Sequence, residues 1–239
     1  PAYLRDSKTL WPWRGKTVAI PLGLQQLPGT QDALTQAHAD AAPDRPFRVL
    51  SIGRLAHYKG FDTLIAAVAA CPHMELAIVG NGELRAQLTQ QIAELPQADA
   101  RQRIRLLGGV SDAEKLQALA ACDLFALAST EKSEAFGLVV LEAMQFAKPC
   151  LVSALPGSGL PWLLATAQAG MTAPVADVPA WRDALLAMQS AWQASRQGHN
   201  TDAASPWQMW QRNAHEAAHG YFSMQTNASS VQAVYERLW

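Results

Sequence analysis

The chain has no run of eighteen apolar residues, so no segment is expected to span a membrane as a helix. Charge is sparse. Asp, Glu, Lys and Arg make up 16% of the 239 residues, below the usual quarter, and the formal net charge is −1. Nothing in that balance draws the chain to nucleic acid or to anionic lipid over long range. Cysteines number three (Cys71, Cys122 and Cys150), each in an apolar context, which predicts a reducing compartment and ordinary core thiols. No charged-then-apolar leader follows Pro1, so no signal peptide is expected, and the missing initiator Met points to a piece of a longer chain. What the chain has in quantity is apolar residue, 49% of the total, enough for a sizeable core.

The rhythm becomes regular after a Pro- and Gln-rich loop over 28–46, which carries at most one helical turn. Short apolar runs at 47–53, 75–80, 104–108, 123–129 and 149–154 alternate with segments of helical spacing at 61–71, 83–95, 112–122 and 137–147. Asp112 is placed to cap the third of these helices. Such alternation predicts a parallel α/β sheet. From about residue 178 only helices are expected, at 178–194, 207–221 and 223–238, with a loop at 197–206. Five of the eight tryptophans fall between 181 and 239, so these helices either cover the sheet or meet another domain.

Ligands of an open parallel sheet bind outside the carboxyl ends of its strands. The unusual residues lie there: Gly53, Arg54 and Lys59 after the first run, Gly80 and Gly82 after the second, and Gly108, Gly109 and Val110 after the third. After the fourth comes SEAFGLVVLEAM (133–144), in which Glu134 and Glu142 flank an apolar stretch containing Gly137. A helix starting near Phe136 or Gly137 offers unpaired N–H groups and a positive dipole end, which suits a phosphate. Glu134 then stands beside that anion, and Glu142 lies about one and a half turns inside, where a carboxylate can accept from ribose hydroxyls. Leu138 to Leu141 tie the helix to the sheet. The same residues fit a plainer account, in which Glu134 is a helix-start acid, Glu142 is exposed, and Arg54 and Lys59 are solvated charges.

Several chemistries are disfavoured. Gly80-x-Gly82 lacks the third glycine of a dinucleotide fingerprint, where Arg85 stands, so an NAD enzyme is not expected. PGSGLP (156–161) is not a nucleophile elbow, and Ser158 is expected in a turn. His215, Glu216 and His219 match the His-Glu-x-x-His of zinc peptidases, but no third ligand is evident, and metal binding is not expected.

The ordered set IPLGL (20–24), SIGRLAHYKGFDTLIAA (51–67), VGNGEL (79–84), IRLLGGVSD (104–112) and CDLFALASTEKSEAFGLVVLEAM (122–144) resembles the C-terminal, donor-nucleotide domain of retaining family 4 glycosyltransferases, which have the GT-B fold. The resemblance runs from about residue 20 to 175. It implies a Rossmann-like parallel sheet with helices on both faces plus C-terminal helices, an isolated C-terminal half of that fold. Residues 1–28 would be a remnant or linker from an N-terminal acceptor domain, 29–222 the donor domain, and 223–239 a helix crossing back. It also implies roles. Arg54 and Lys59 would contact the diphosphate, and Glu134 the donor sugar. The backbone at Phe136, Gly137 and Leu138 would hold phosphate, and Glu142 would take the ribose. Gly53, Gly80 and Gly82 would make room for the nucleotide, whose base would meet Val110. The donor would be a UDP- or GDP-sugar, the acceptor a glycan or lipid-linked chain of bacterial surface polysaccharide, with no metal and no other cofactor. The location would be cytoplasmic, or peripheral at the inner face of the cytoplasmic membrane, and the chain alone would have little or no transferase activity. Where many members carry Gly-Gly-x-Pro-Glu after the fifth strand, this chain has PGSGLPW, with Trp162 in place of the acid. The competing class is a non-catalytic nucleotide- or partner-binding module on the same sheet.

Overall fold

The computed structural model describes residues 7–35, 45–134, 136–197 and 205–237. Six parallel strands form one sheet: β1 (Phe47–Ile52), β2 (Met74–Val79), β3 (Ile104–Gly108), β4 (Leu124–Leu127), β5 (Cys150–Ser153) and β6 (Gly170–Ala173), in the order β3-β2-β1-β4-β5-β6. The inner strands are buried along nearly their whole length, so they read as mostly apolar runs. Their side chains still alternate. Leu124 and Ala126 enter one core while Phe125 and Leu127 enter the other.

The helices that frame the sheet are, in chain order, α1 (Phe61–Ala69), α2 (Arg85–Ala93), α3 (Ala98–Arg103), α4 (Asp112–Ala121), α5 (Leu138–Gln145), α6 (Gly159–Ala167), α7 (Val178–Arg196), α8 (Pro206–His219) and α9 (Met224–Glu236). Helices α1, α2 and α7 bury Leu64, Leu88 and Trp181 in the first core, and α4, α5 and α6 bury Leu119, Leu141 and Leu163 in the second. Both faces of the sheet are therefore covered, as parallel sheets require.

The strand count and one helix cap differ from the sequence reading. The sheet has a sixth strand, β6, at an edge where only Ala173 is fully buried, so its sequence carries little apolar signal. Ser158 closes the expected turn, its N–H bonding the Leu155 carbonyl at 3.2 Å. Ser158 caps α6 through the Leu160 N–H at 3.2 Å, and Pro161 sits in the first turn, where no intrahelical N–H is needed. The cap of α4 is Ser111 rather than Asp112, in a reciprocal box with Glu114.

The tryptophans of α7 and α8 cover the chain's own sheet. Trp181, Trp192 and Trp207 are buried in the first core, with Trp207 and Trp192 against Phe47. Helix α9 buries no residue; its first turn is joined to Leu24, whose N–H and carbonyl bond Phe222 and Met224. The expected borders near 28 and 222 thus lie against each other. Residues 198–204, within the expected loop at 197–206, lie outside the described residues, as do 1–6 and 238–239. At the far ends of β1 and β4, Arg45 makes a two-pronged ion pair with Asp123 at 2.6 and 2.7 Å, and Asp123 also accepts from the Arg48 N–H.

Candidate functional site

The strand order reverses between β1 and β4, which makes their carboxyl ends the crevice where such sheets bind ligands. Loop 53–60 leaves β1 there, and loop 128–137 leaves β4. The Thr130 N–H donates to the Tyr58 carbonyl at 2.7 Å and ties the loops together. Lys59 forms an ion pair with Glu134, whose Oε2 also faces the Ser129 hydroxyl at 3.4 Å. Both side chains are about nine-tenths buried, with exposures of 9% and 11%. Gly53 lies against the stem of Lys59. Arg54, in contrast, is 70% exposed and meets Glu83 at 3.3 Å. The Glu83 carboxyl is held below its ordinary range, first by its own backbone N–H and also by Arg54.

Helix α5 starts at this crevice. Gly137 precedes it with φ 76°, a left-handed conformation, and a Cβ there would lie 2.4 Å from Leu160 Cδ2. No side chain caps this helix and no acid lies in its first turn; the Val140 N–H donates to the Gly137 carbonyl at 2.8 Å, which leaves the Leu138 and Val139 N–H groups for an external anion. Leu138 is 45% exposed at that end, while Phe136 packs on Trp162 and Phe222. The Ser158 hydroxyl donates to the Glu134 carbonyl at 2.9 Å, so the α6 cap also steadies the approach to α5.

Gly80 and Gly82 bring the β2 loop against the β1 loop. A Cβ on Gly80 would lie 1.9 Å from the Gly53 carbonyl oxygen, so close backbone approach within the fold already requires glycine there. Val110 is half-buried at the start of the segment leading into α4. Glu142 is not a free surface acid. It is half-buried and its Oε1 lies 3.1 Å from Lys115 Nζ, projecting from α4. The sequence reading named neither Lys115 nor Glu83, because pairing between helices leaves no local spacing. The structure therefore gathers Gly53, Lys59, Glu134, Phe136, Gly137 and Leu138 at the β1/β4 crevice, with Arg54 turned toward Glu83 and Glu142 toward Lys115.

The His-Glu-x-x-His match has a different role. His215 Nε2 donates to the Thr30 carbonyl at 3.2 Å, His219 Nδ1 donates to the His215 carbonyl at 2.9 Å, and the two rings stack 4.1 Å apart. Thr30 is fully buried. Burial of the ring, then the neighbouring His219, push His215 below its ordinary value. Among the described residues no three His, Cys, Asp or Glu side chains are grouped to hold a metal. Gln145, also buried, accepts from the Leu27 N–H and donates to the Gln25 carbonyl, so segment 25–30 is latched to α5 and α8. The three cysteines are free and buried. Burial raises Cys71 to about 11 and Cys122 to about 12, and lifts Cys150 well above its ordinary value, so none is a ready nucleophile.

The model of the family described as glycosyl transferases group 1 matches residues 35–197, more than half of the chain. The chain belongs to that family. Among its relatives is the O-antigen chain mannosyltransferase C of Escherichia coli, 30% identical over 203 residues that cover 84% of this chain and 53% of the relative. The D-rhamnosyltransferase WbpZ of Pseudomonas aeruginosa is 28% identical, over 85% of this chain and 52% of its own. The chain thus spans about half the length of the curated relatives it matches. Anabaena HepE, solved with UDP and glucose, superposes with a TM-score of 0.70 at 23% identity, covering 97% of this chain and 61% of that one. Sucrose-phosphate synthase of Thermosynechococcus elongatus gives 0.71 at 25% identity, over 99% and 55%. The fold of this glycosyl transferases group 1 member is the Rossmann-like domain of GT-B glycosyltransferases, a six-stranded parallel sheet with helices on both faces. None of its described helices is long and apolar enough to cross a membrane.

Proposed function

We propose that the chain binds the nucleoside-diphosphate sugar of a retaining, metal-independent hexosyltransferase. One observation carries the reading: an uncapped helix N-terminus, that of α5, opens at the sheet's reversal point beside a buried lysine. The pyrophosphate of the donor takes the leading N–H groups of α5 and the backbone at Phe136, Gly137 and Leu138. Lys59 has three N–H donors, so it keeps Glu134 and still reaches a phosphate oxygen. Arg54 is exposed and its contact with Glu83 is long, so it swings to the diphosphate at little cost. As the sugar leaves, negative charge grows on the departing diphosphate, and these positive groups offset it. Glu134 faces the donor sugar, Glu142 accepts from the ribose, Gly53, Gly80 and Gly82 line the nucleotide, and the base meets the backbone at Val110.

The relatives named for O-antigen mannosyl and D-rhamnosyl transfer support a bacterial surface polysaccharide or its lipid-linked precursor as acceptor. The solved neighbours holding UDP support a nucleotide-sugar donor, UDP- or GDP-linked. The acceptor contacts belong to a partner half N-terminal to this domain, and the enzyme works at the cytoplasmic side. The chain alone turns over little or not at all.

A thermal-shift panel of UDP- and GDP-sugars tests the reading. At one hundred times its Kd a ligand stabilises by about 2.7 kcal/mol. For a domain of this size that raises Tm by about 5 to 11 °C. Arg54→Ala and Glu142→Ala should each shrink the shift. No shift with any nucleotide sugar, or shifts untouched by both substitutions, defeats the proposal.

A further inference from the structure

We propose that Lys115 is a positioning residue that presets Glu142 for the ribose of the bound nucleotide, an inference that rests on the ribose role given to Glu142 above. The Lys115 ammonium lies 3.1 Å from Glu142 Oε1, and Oε2 has no hydrogen-bond partner among the described residues. The last torsion of a glutamate is broad and two-fold, so an unanchored carboxylate samples many orientations. One oxygen held by a cation leaves the other at a fixed place, ready for a hydroxyl donor.

Both ends of the contact stand on rigid supports. The Ser111–Glu114 box fixes where α4 begins, and the Lys115 N–H bonds the Ser111 carbonyl at 2.9 Å, so the register of Lys115 is set. Leu119 of α4 and Val140 and Leu141 of α5 are fully buried in one shared core. The pair itself is 24% and 18% exposed, so it is largely shielded from water and the contact is not a loose surface pairing. Comparing ribose and dideoxy nucleotides separates what Lys115 does for orientation from what it does for stability. Val110, given to the base, immediately precedes Ser111, so α4 connects the base contact to the ribose contact.

Calorimetric titration of the chain with UDP and GDP, each against its 2′,3′-dideoxy counterpart, tests this in Lys115→Met, Lys115→Arg, Glu142→Gln and the Lys115→Met/Glu142→Gln double variant. Lys115→Met should lose about three- to tenfold affinity for the ribonucleotide that binds, the cost of ordering one long side chain on binding. It should lose nothing for the dideoxy form, and Lys115→Arg should retain most of the affinity. The double variant should be no weaker than Glu142→Gln alone. Equal losses on both nucleotide forms would mean that Lys115 touches phosphate or base, and would overturn the proposal. So would an unchanged Lys115→Met beside a weakened Glu142→Gln. An unchanged Glu142→Gln, or an unaltered chain that binds neither diphosphate, strikes the ribose reading itself and this inference with it.

Discussion

Replacing Lys59 by Met separates what the buried ion pair does for stability from what it does for binding. The substitution keeps most of the side-chain length but leaves Glu134 beside only the Ser129 hydroxyl at 3.4 Å. Removing one partner of a buried pair costs about 3–5 kcal/mol. The remaining hydroxyl and the 11% exposure of Glu134 bring this to about 2–4 kcal/mol, or a Tm lowered by about 4 to 16 °C. Nucleotide affinity should fall as well, by about 10- to 150-fold for a lost charge-assisted bond to phosphate. Adding Glu134→Gln to Lys59→Met removes the orphaned charge, so the double variant should return to within about 1 kcal/mol of the unaltered chain. Its affinity should stay low, because the phosphate still lacks its cation. Urea unfolding and calorimetric titration of the three variants read the two effects side by side. A double variant that regains binding, or a Lys59→Met chain with unchanged stability, would refute the argument.

Two further outcomes follow from the same geometry. Gly137→Ala places a Cβ 2.4 Å from Leu160 Cδ2 at φ 76°, so it should destabilise by about 1–3 kcal/mol in urea unfolding and also weaken nucleotide binding by displacing the start of α5. Burial and His219 hold His215 below its ordinary 6.5, so the folded chain binds fewer protons there than the unfolded one. Its contribution to stability is complete above about pH 6.5 and is lost as pH falls through the depressed folded value; His215→Gln should flatten the urea midpoint against pH between about 7.5 and 5.5.

The parts of the molecule that were readable beforehand are those whose physics is local. Strands β1, β2, β4 and β5 announce themselves because burial on both faces demands mostly apolar runs, and β3 because IRLLG stands between helical patterns. β6 was hidden because an edge strand with one fully buried side chain makes no such demand. The crevice was visible as glycines and charges at strand ends, since strand ends can be counted along the chain. The partners of those charges were not. Lys115 stands 27 residues before Glu142, and Thr30 stands 185 residues before His215, so only the folded chain shows that one carboxylate is anchored and that the histidine pair is a latch.

Helix α9 is fastened at one end. Its first turn is stitched to the 21–24 segment by the Met224 N–H and by Asn227 Nδ2, which donates to the Pro21 carbonyl at 2.6 Å, and none of its residues is buried. Thirteen residues of helix are marginal in water without tertiary contacts. Hydrogen exchange should therefore run as a gradient, slowest near Met224 and fastest toward Glu236, while the strand amides stay protected. Fraying of this arm costs the sheet nothing, and any surface that settles on the arm will register first as slowed exchange at its outer turns.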